Sequence, residues 1–77
     1  MIHLELSRAD VNCLANHLPL GSDLRYALLN SDLIPSSNPI DCDEGEARAL
    51  LRIAIEHCSE AVEKIQYGMR VAGVRLS

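Results

Sequence analysis

Phenylalanine and tryptophan are absent from this 77-residue chain, and Tyr26 and Tyr67 are its only large aromatic side chains. Stacking platforms for bases and aromatic grooves for extended peptides are therefore poorly supplied. Cations are also scarce: seven Lys and Arg stand against eleven Asp and Glu, for a net charge of -4. A phosphate-rich partner needs a concentrated positive face, so no nucleic-acid binding is expected. No apolar run approaches the roughly 20 residues of a membrane span, and the opening Met-Ile-His-Leu-Glu-Leu has no basic region leading into an apolar stretch, so no membrane association is expected. Glycine-rich phosphate loops, His-Glu-x-x-His patterns and Ser, His and Asp arrangements are missing. The expectation is a non-enzymatic protein with no cofactor. Three cysteines are an odd count without a dense framework, which favours reduced thiols and a cytoplasmic location over a disulfide scaffold.

What is present is the composition of a folding chain, with 48% hydrophobic and 23% charged residues. Seventy-seven residues make one small domain, residues 1 to 77, which buries only about 60% of the surface its unfolded form exposes. A thin core makes a partner subunit an expectation. Charge is unevenly spread, since all eleven acids and four arginines precede residue 64, and Lys64, Arg70 and Arg75 follow.

Ile2, Leu4 and Leu6 alternate with His3 and Glu5, the two-residue period of a strand over 2 to 6 with one buried face. Ser7 then caps a helix, with Asp10 among the free N-H groups of its first turn. Val11, Leu14, Ala15 and Leu18 recur at helical spacing, so the helix is expected over 8 to 18, ending at Pro19 and Gly21. Ser22 opens a short second helix over 23 to 30 with Leu24, Ala27 and Leu28 inward. A linker over 32 to 39 contains Pro35 and Pro39.

The opening pattern then returns at an offset of 36 residues. Leu4 aligns with Ile40, Leu6 with Cys42, Asp10 with Glu46, Val11 with Ala47 and Leu14 with Leu50, and Asp43 with Glu46 forms a second cap pair. A strand over 39 to 42 followed by another helix is expected, the two strands pairing with each other in either direction. The fold class is therefore mainly α, of α+β type: two strand-helix units, a two-stranded sheet, a short second helix and a long C-terminal helix.

That last helix is expected over 44 to 72 because no Gly or Pro interrupts residues 46 to 67. Residues 71 to 76 as a third strand are the alternative ending. Ala47, Leu51, Ala54, Cys58, Ala61, Ile65, Gly68 and Ala72 form a heptad seam of small side chains, flanked by Leu50, Ile55, Val62 and Met69. A continuous helix of this length spans about 43 Å, against about 30 Å for a domain of this size. The excess argues for a homodimer, or contact with another protein, through Leu51, Ala54, Cys58, Ala61, Val62, Ile65, Met69 and Ala72. A bend near Cys58 and Ser59, folding the helix back within a monomer, is the competing expectation.

Cys13 and His17, four apart on one helix, are the candidates for a thiol or metal sensor. His57 and Cys58 supply two further nitrogen and sulfur atoms. On a continuous helix, however, adjacent residues point about 100° apart and do not share one small ion, so no metal site is expected. Cys42 and Cys58 fall on apolar stripes and read as inert buried thiols, whereas Cys13 lies opposite Val11, Leu14 and Leu18 and faces solvent or a partner. The acids Asp41, Asp43, Glu44 and Glu46 fail the calcium-loop pattern at Gly45 and Glu46 and belong to a helix start.

Overall fold

Alternation of burial along residues 2 to 6 and again along 38 to 42 creates two strands, and these pair antiparallel as the only sheet among the described residues. The computed structural model describes residues 1–29 and 34–74. In chain order the elements are β1 (Ile2–Leu6), α1 (Arg8–Asn16), α2 (Asp23–Leu29), β2 (Asn38–Cys42), α3 (Glu44–His57) and α4 (Ser59–Val71). The register sets Ile2 opposite Cys42, Leu4 opposite Ile40 and Leu6 opposite Asn38, so the buried side chains of both strands share one face.

Both helices that follow a strand begin with a reciprocal cap. The Ser7 hydroxyl accepts from the Asp10 amide while Asp10 accepts from the Ser7 amide, and Asp43 and Glu46 repeat the arrangement. The two halves thus match at the offset of 36 read from the sequence. β2 begins at Asn38, one residue earlier than expected, because Asn38 is a buried strand residue. Its side-chain amide donates to the carbonyls of Leu6 and Ile34 and its oxygen accepts from the Ile34 amide, and no buried side-chain nitrogen or oxygen among the described residues lacks a partner. α1 closes two residues earlier than expected, at Asn16, and the Arg25 side chain donates to the Ala15 carbonyl at its end. Residue 30 of the expected second helix, residues 32 and 33 of the expected linker and residues 75 and 76 of the alternative strand lie outside the described residues. Val71 is helical and Gly73 sits in a turn at φ 82°.

The single helix expected over 44 to 72 is two helices. At Cys58 the backbone leaves helical geometry, with φ -133° and ψ 62°, and α4 turns back on α3. The driving force is burial: Ala47, Ala54, Cys58, Ala61, Ile65 and Met69, which in one straight helix would lie along an uncovered stripe, enter the same core as Ile2, Leu4, Leu6, Leu14 and Leu50. At 14 and 13 residues the two helices are each about 20 Å long and fit within a molecule of 28 × 24 × 22 Å.

The apolar excess that argued for a homodimer is therefore covered from within. Ala54, Cys58, Ala61, Ile65 and Met69 are buried, Leu51 and Val62 are half-buried against the core, and only Ala72 is exposed. The small seam serves intramolecular close approach. A Cβ built on Gly68 would stand 2.7 Å from the His3 carbonyl oxygen and 2.6 Å from the Leu4 Cδ2 atom, so α4 meets β1 where only glycine fits.

Candidate functional site

Chemistry-bearing side chains converge where α1 meets the junction of α3 and α4. Cys13 lies in the second turn of α1, and its exposure is intermediate because the apolar stripe of Val11, Leu14 and Leu18 occupies the opposite side. Cys58 lies at the break itself. The two form a disulfide with a Cα–Cα distance of 6.1 Å and a sequence separation of 45. The expected inert thiol at Cys58 and free thiol at Cys13 are thus corrected together: the fold-back brings Cys58 off its continuous stripe and against α1.

One turn beyond Cys13, His17 stacks on His57, the residue before Cys58. Their ring centroids are 3.9 Å apart and the planes 10° from parallel. Both histidines are exposed. The His57 Nε2 atom lies 3.7 Å from the Glu56 carboxylate, and the His57 carbonyl oxygen lies 3.5 Å from the Cys13 sulfur. A shallow hollow of about 310 Å³ opens beside the disulfide, edged by Ala9, Asp10, Cys13, His57 and Glu60. Cys13 is half-buried and Cys58 buried, so the disulfide meets solvent on its Cys13 side. No group of three or more His, Cys, Asp and Glu among the described residues is arranged to hold a metal ion.

Asp10 anchors the same corner from below. Although nearly buried, it receives the Lys64 ammonium at 2.5 Å in addition to the Ser7 amide, which ties α4 to the start of α1. Burial pushes its carboxyl up, but the Lys64 hydrogen bond, the Ser7 amide and hydroxyl and the Lys64 charge together outweigh burial and hold it below its ordinary value of 3.8.

The third cysteine behaves differently. Cys42 is buried in the sheet, and burial followed by the carboxylates of Glu46, Asp43 and Asp41 pushes its thiol up to about 11. It stays protonated and inert at neutral pH.

A larger groove, about 620 Å³, lies elsewhere, between the exposed side of β1 and α4, with His3, Glu5, Ser36, Glu63, Lys64 and Tyr67 on its walls. His3 Nδ1 contacts Asp41 at 2.5 Å across the sheet, and both side chains are exposed.

Sequence reasoning names all four residues of that corner and separates them by one assumption, that residues 57 and 58 belong to a straight helix. The signal for the break is Ser59 following His57 and Cys58, a polar helix-start residue in the middle of an apolar seam. No family model matches the chain, and comparisons with curated proteins and with solved structures find no similar one. No described helix is long and apolar enough to cross a membrane.

Proposed function

We propose that this protein is a small non-enzymatic regulatory module whose α1 is fastened to or released from the α3 and α4 junction by thiol-disulfide exchange at Cys13 and Cys58. The observation that supports it is the position of the disulfide, at an open hollow with two exposed imidazoles beside it. In this reading the partner is another protein that distinguishes the fastened form from the released one, and the setting is the cytoplasm, where thiol poise varies.

The exchange is a two-electron step. One glutathione thiolate attacks the Cys13 sulfur, the Cys58 sulfur leaves as a thiolate and takes a proton, and a second glutathione resolves the mixed disulfide. Two protein thiols and one glutathione disulfide result. The energetic leverage is large. Closing a loop across a separation of 45 restrains the unfolded chain by about 4 kcal/mol in the chain-entropy account. A chain of this length has a total stability of about 4–12 kcal/mol.

The test is equilibration in glutathione buffers of graded poise, followed by acid quenching, alkylation and mass measurement, with amide exchange of α1 followed in parallel. The expected midpoint lies between about -200 and -300 mV, with faster exchange in α1 after reduction. Retention of the disulfide at every poise above about -300 mV, or unchanged exchange after reduction, overturns the reading.

A further inference from the structure

We propose that the groove between β1 and α4 is a docking site for an extended segment of a partner protein that carries a lysine or arginine two residues from an apolar side chain. This goes beyond the thiol-exchange reading and does not depend on it.

Two contacts fix how the walls of the groove are aligned. Gly68 of α4 lies against His3 and Leu4, and Lys64, one turn earlier, reaches the Asp10 carboxylate. Asp10 also accepts from the Ser7 amide, immediately after the Leu6 end of β1. α4 therefore runs antiparallel to β1. Glu63 stands at the same end of the groove as Glu5, Val71 stands at the same end as His3, and Tyr67 lies between Glu63 and Val71.

The charges at the first end are unbalanced. Both basic side chains on the walls are already engaged, Lys64 with Asp10 and His3 with Asp41. Glu5 and Glu63 are exposed and have no hydrogen bond or ion pair with any described residue, and Arg70, on the outer side of Tyr67, pairs with neither. Carboxylates on facing walls without a counter-ion attract a cation and repel an anion. The second end supplies apolar surface. Tyr67 and Val71 are 68% and 71% exposed and lie four residues apart on one side of α4. A lysine or arginine stem lies along Tyr67, whose ring face attracts the charged head, while the head meets the carboxylates. The apolar neighbour covers Tyr67 and Val71.

Spacing selects an extended chain. Glu63 and Tyr67 are about 6 Å apart along the axis of α4, and Glu5 and His3 are about 6.8 Å apart along β1. Both steps match the roughly 6.8 Å between alternate side chains of an extended peptide. A polyamine meets the carboxylates but leaves the apolar end uncovered, so the occupant is a segment that carries both groups. It lies over the side chains of β1 and adds no strand, because Gly68 already occupies the β1 edge at the His3 carbonyl.

The experiment titrates the isotope-labelled oxidised full chain with the peptide acetyl-Leu-Ser-Arg-Ser-Leu-amide, whose palindromic order seats in either direction, and follows the amide spectrum. The expected result is a saturable shift concentrated at residues 3, 5, 63, 67, 68 and 71. Glu5→Gln and Glu63→Gln each weaken binding at least about fivefold, and Tyr67→Ala weakens it at least about threefold. Glu60→Gln removes the same charge elsewhere on α4 and leaves binding within about twofold. All four substitutions fall on exposed side chains, and the amide spectrum of each variant reports its fold directly. Exchanging the peptide arginine for glutamate abolishes binding, and exchanging both leucines for serine weakens it at least about fivefold. No saturable shift, shifts centred on other residues, or equal losses from Glu60→Gln and Glu63→Gln overturn the docking site. Spermidine binding as tightly as the peptide assigns the groove to small polycations and overturns the partner segment. None of these outcomes depends on whether glutathione reduces the disulfide.

Discussion

Leu4 and Ile40 face one another at the centre of the sheet, and they are also the two residues that a shift of 36 positions superposes. A pair that is both opposite and equivalent lies on a local two-fold axis. The same shift carries Ile2 to Asn38 and Leu6 to Cys42, and the register exchanges these pairs consistently. The strand pair is therefore symmetric about that axis, and each strand leads into a capping box and a helix, α1 after β1 and α3 after β2.

The contact between α4 and β1 predicts the effect of a single methyl group. Gly68→Ala forces a carbon against the His3 carbonyl, which is backbone and cannot swing aside. A loss of about 1–3 kcal/mol is expected, seen as a lower urea midpoint with the slope unchanged. Gly45, whose added Cβ would meet only the Asp43 side chain at ordinary contact distance, is the control, and Gly45→Ala stays within about 1 kcal/mol of the native protein.

Acid should loosen the corner beneath the disulfide. The folded-state value of Asp10 lies below its unfolded value, so its contribution is fully present above about 3.8 and is lost as pH falls through the folded value. Asp10→Asn flattens this acid limb and lowers stability at neutral pH by about 1–3 kcal/mol, because the charged hydrogen bond disappears. Lys64 is 43% exposed and partly screened, so Lys64→Met costs less, about 1 kcal/mol. Urea melts at a series of pH values separate the two effects.

Thiol reactivity should divide the three cysteines. In the oxidised protein only Cys42 is free, and its thiol near 11 instead of 9.0 leaves about 100-fold less thiolate, in addition to its burial. No alkylation is expected on the scale of minutes at neutral pH. After reduction, Cys13 should label first, as the more exposed partner. Peptide mapping of alkylation against time tests the order, and early labelling of Cys42 contradicts it.

Two isoleucines separate core from surface along the seam. Ile65 is fully buried, so Ile65→Asp places a charge in the core and should unfold the chain, with a loss above about 4 kcal/mol. Ile55 is 62% exposed, and Ile55→Asp should stay within about 0.5 kcal/mol. Circular dichroism and light scattering on both variants give the answer. A folded Ile65→Asp monomer derived from a larger native assembly would restore the intermolecular role of the seam.

Most of the architecture was legible because it rests on short-range rules. The alternation of residues 2 to 6, the two capping boxes and the offset of 36 are local patterns, and each corresponds to an element. Two features rest on long-range physics. The break at Cys58 has no glycine or proline to announce it and was legible only as the competing expectation, resting on Ser59; the burial that α4 achieves against β1 decides it. Asn38 reads as a linker residue, yet three hydrogen bonds to Leu6 and Ile34 make it a buried strand end. The candidate site followed the break: its four side chains were visible, but their meeting depended on a turn between residues 57 and 59.

Pro39 has a consequence for association with other chains. A pair that exchanges two backbone hydrogen bonds cannot contain proline, so Glu5 with Pro39, and by alternation His3 with Asp41, are the pairs whose backbone groups point away from the partner strand. On the β2 side the outward edge therefore has one donor fewer and a carboxylate at Asp41. On the β1 side it meets Gly68 of α4 at the His3 carbonyl. Neither edge offers an unobstructed template for an incoming strand, so a two-stranded sheet, which would otherwise invite runaway pairing, is kept from growing into a fibre.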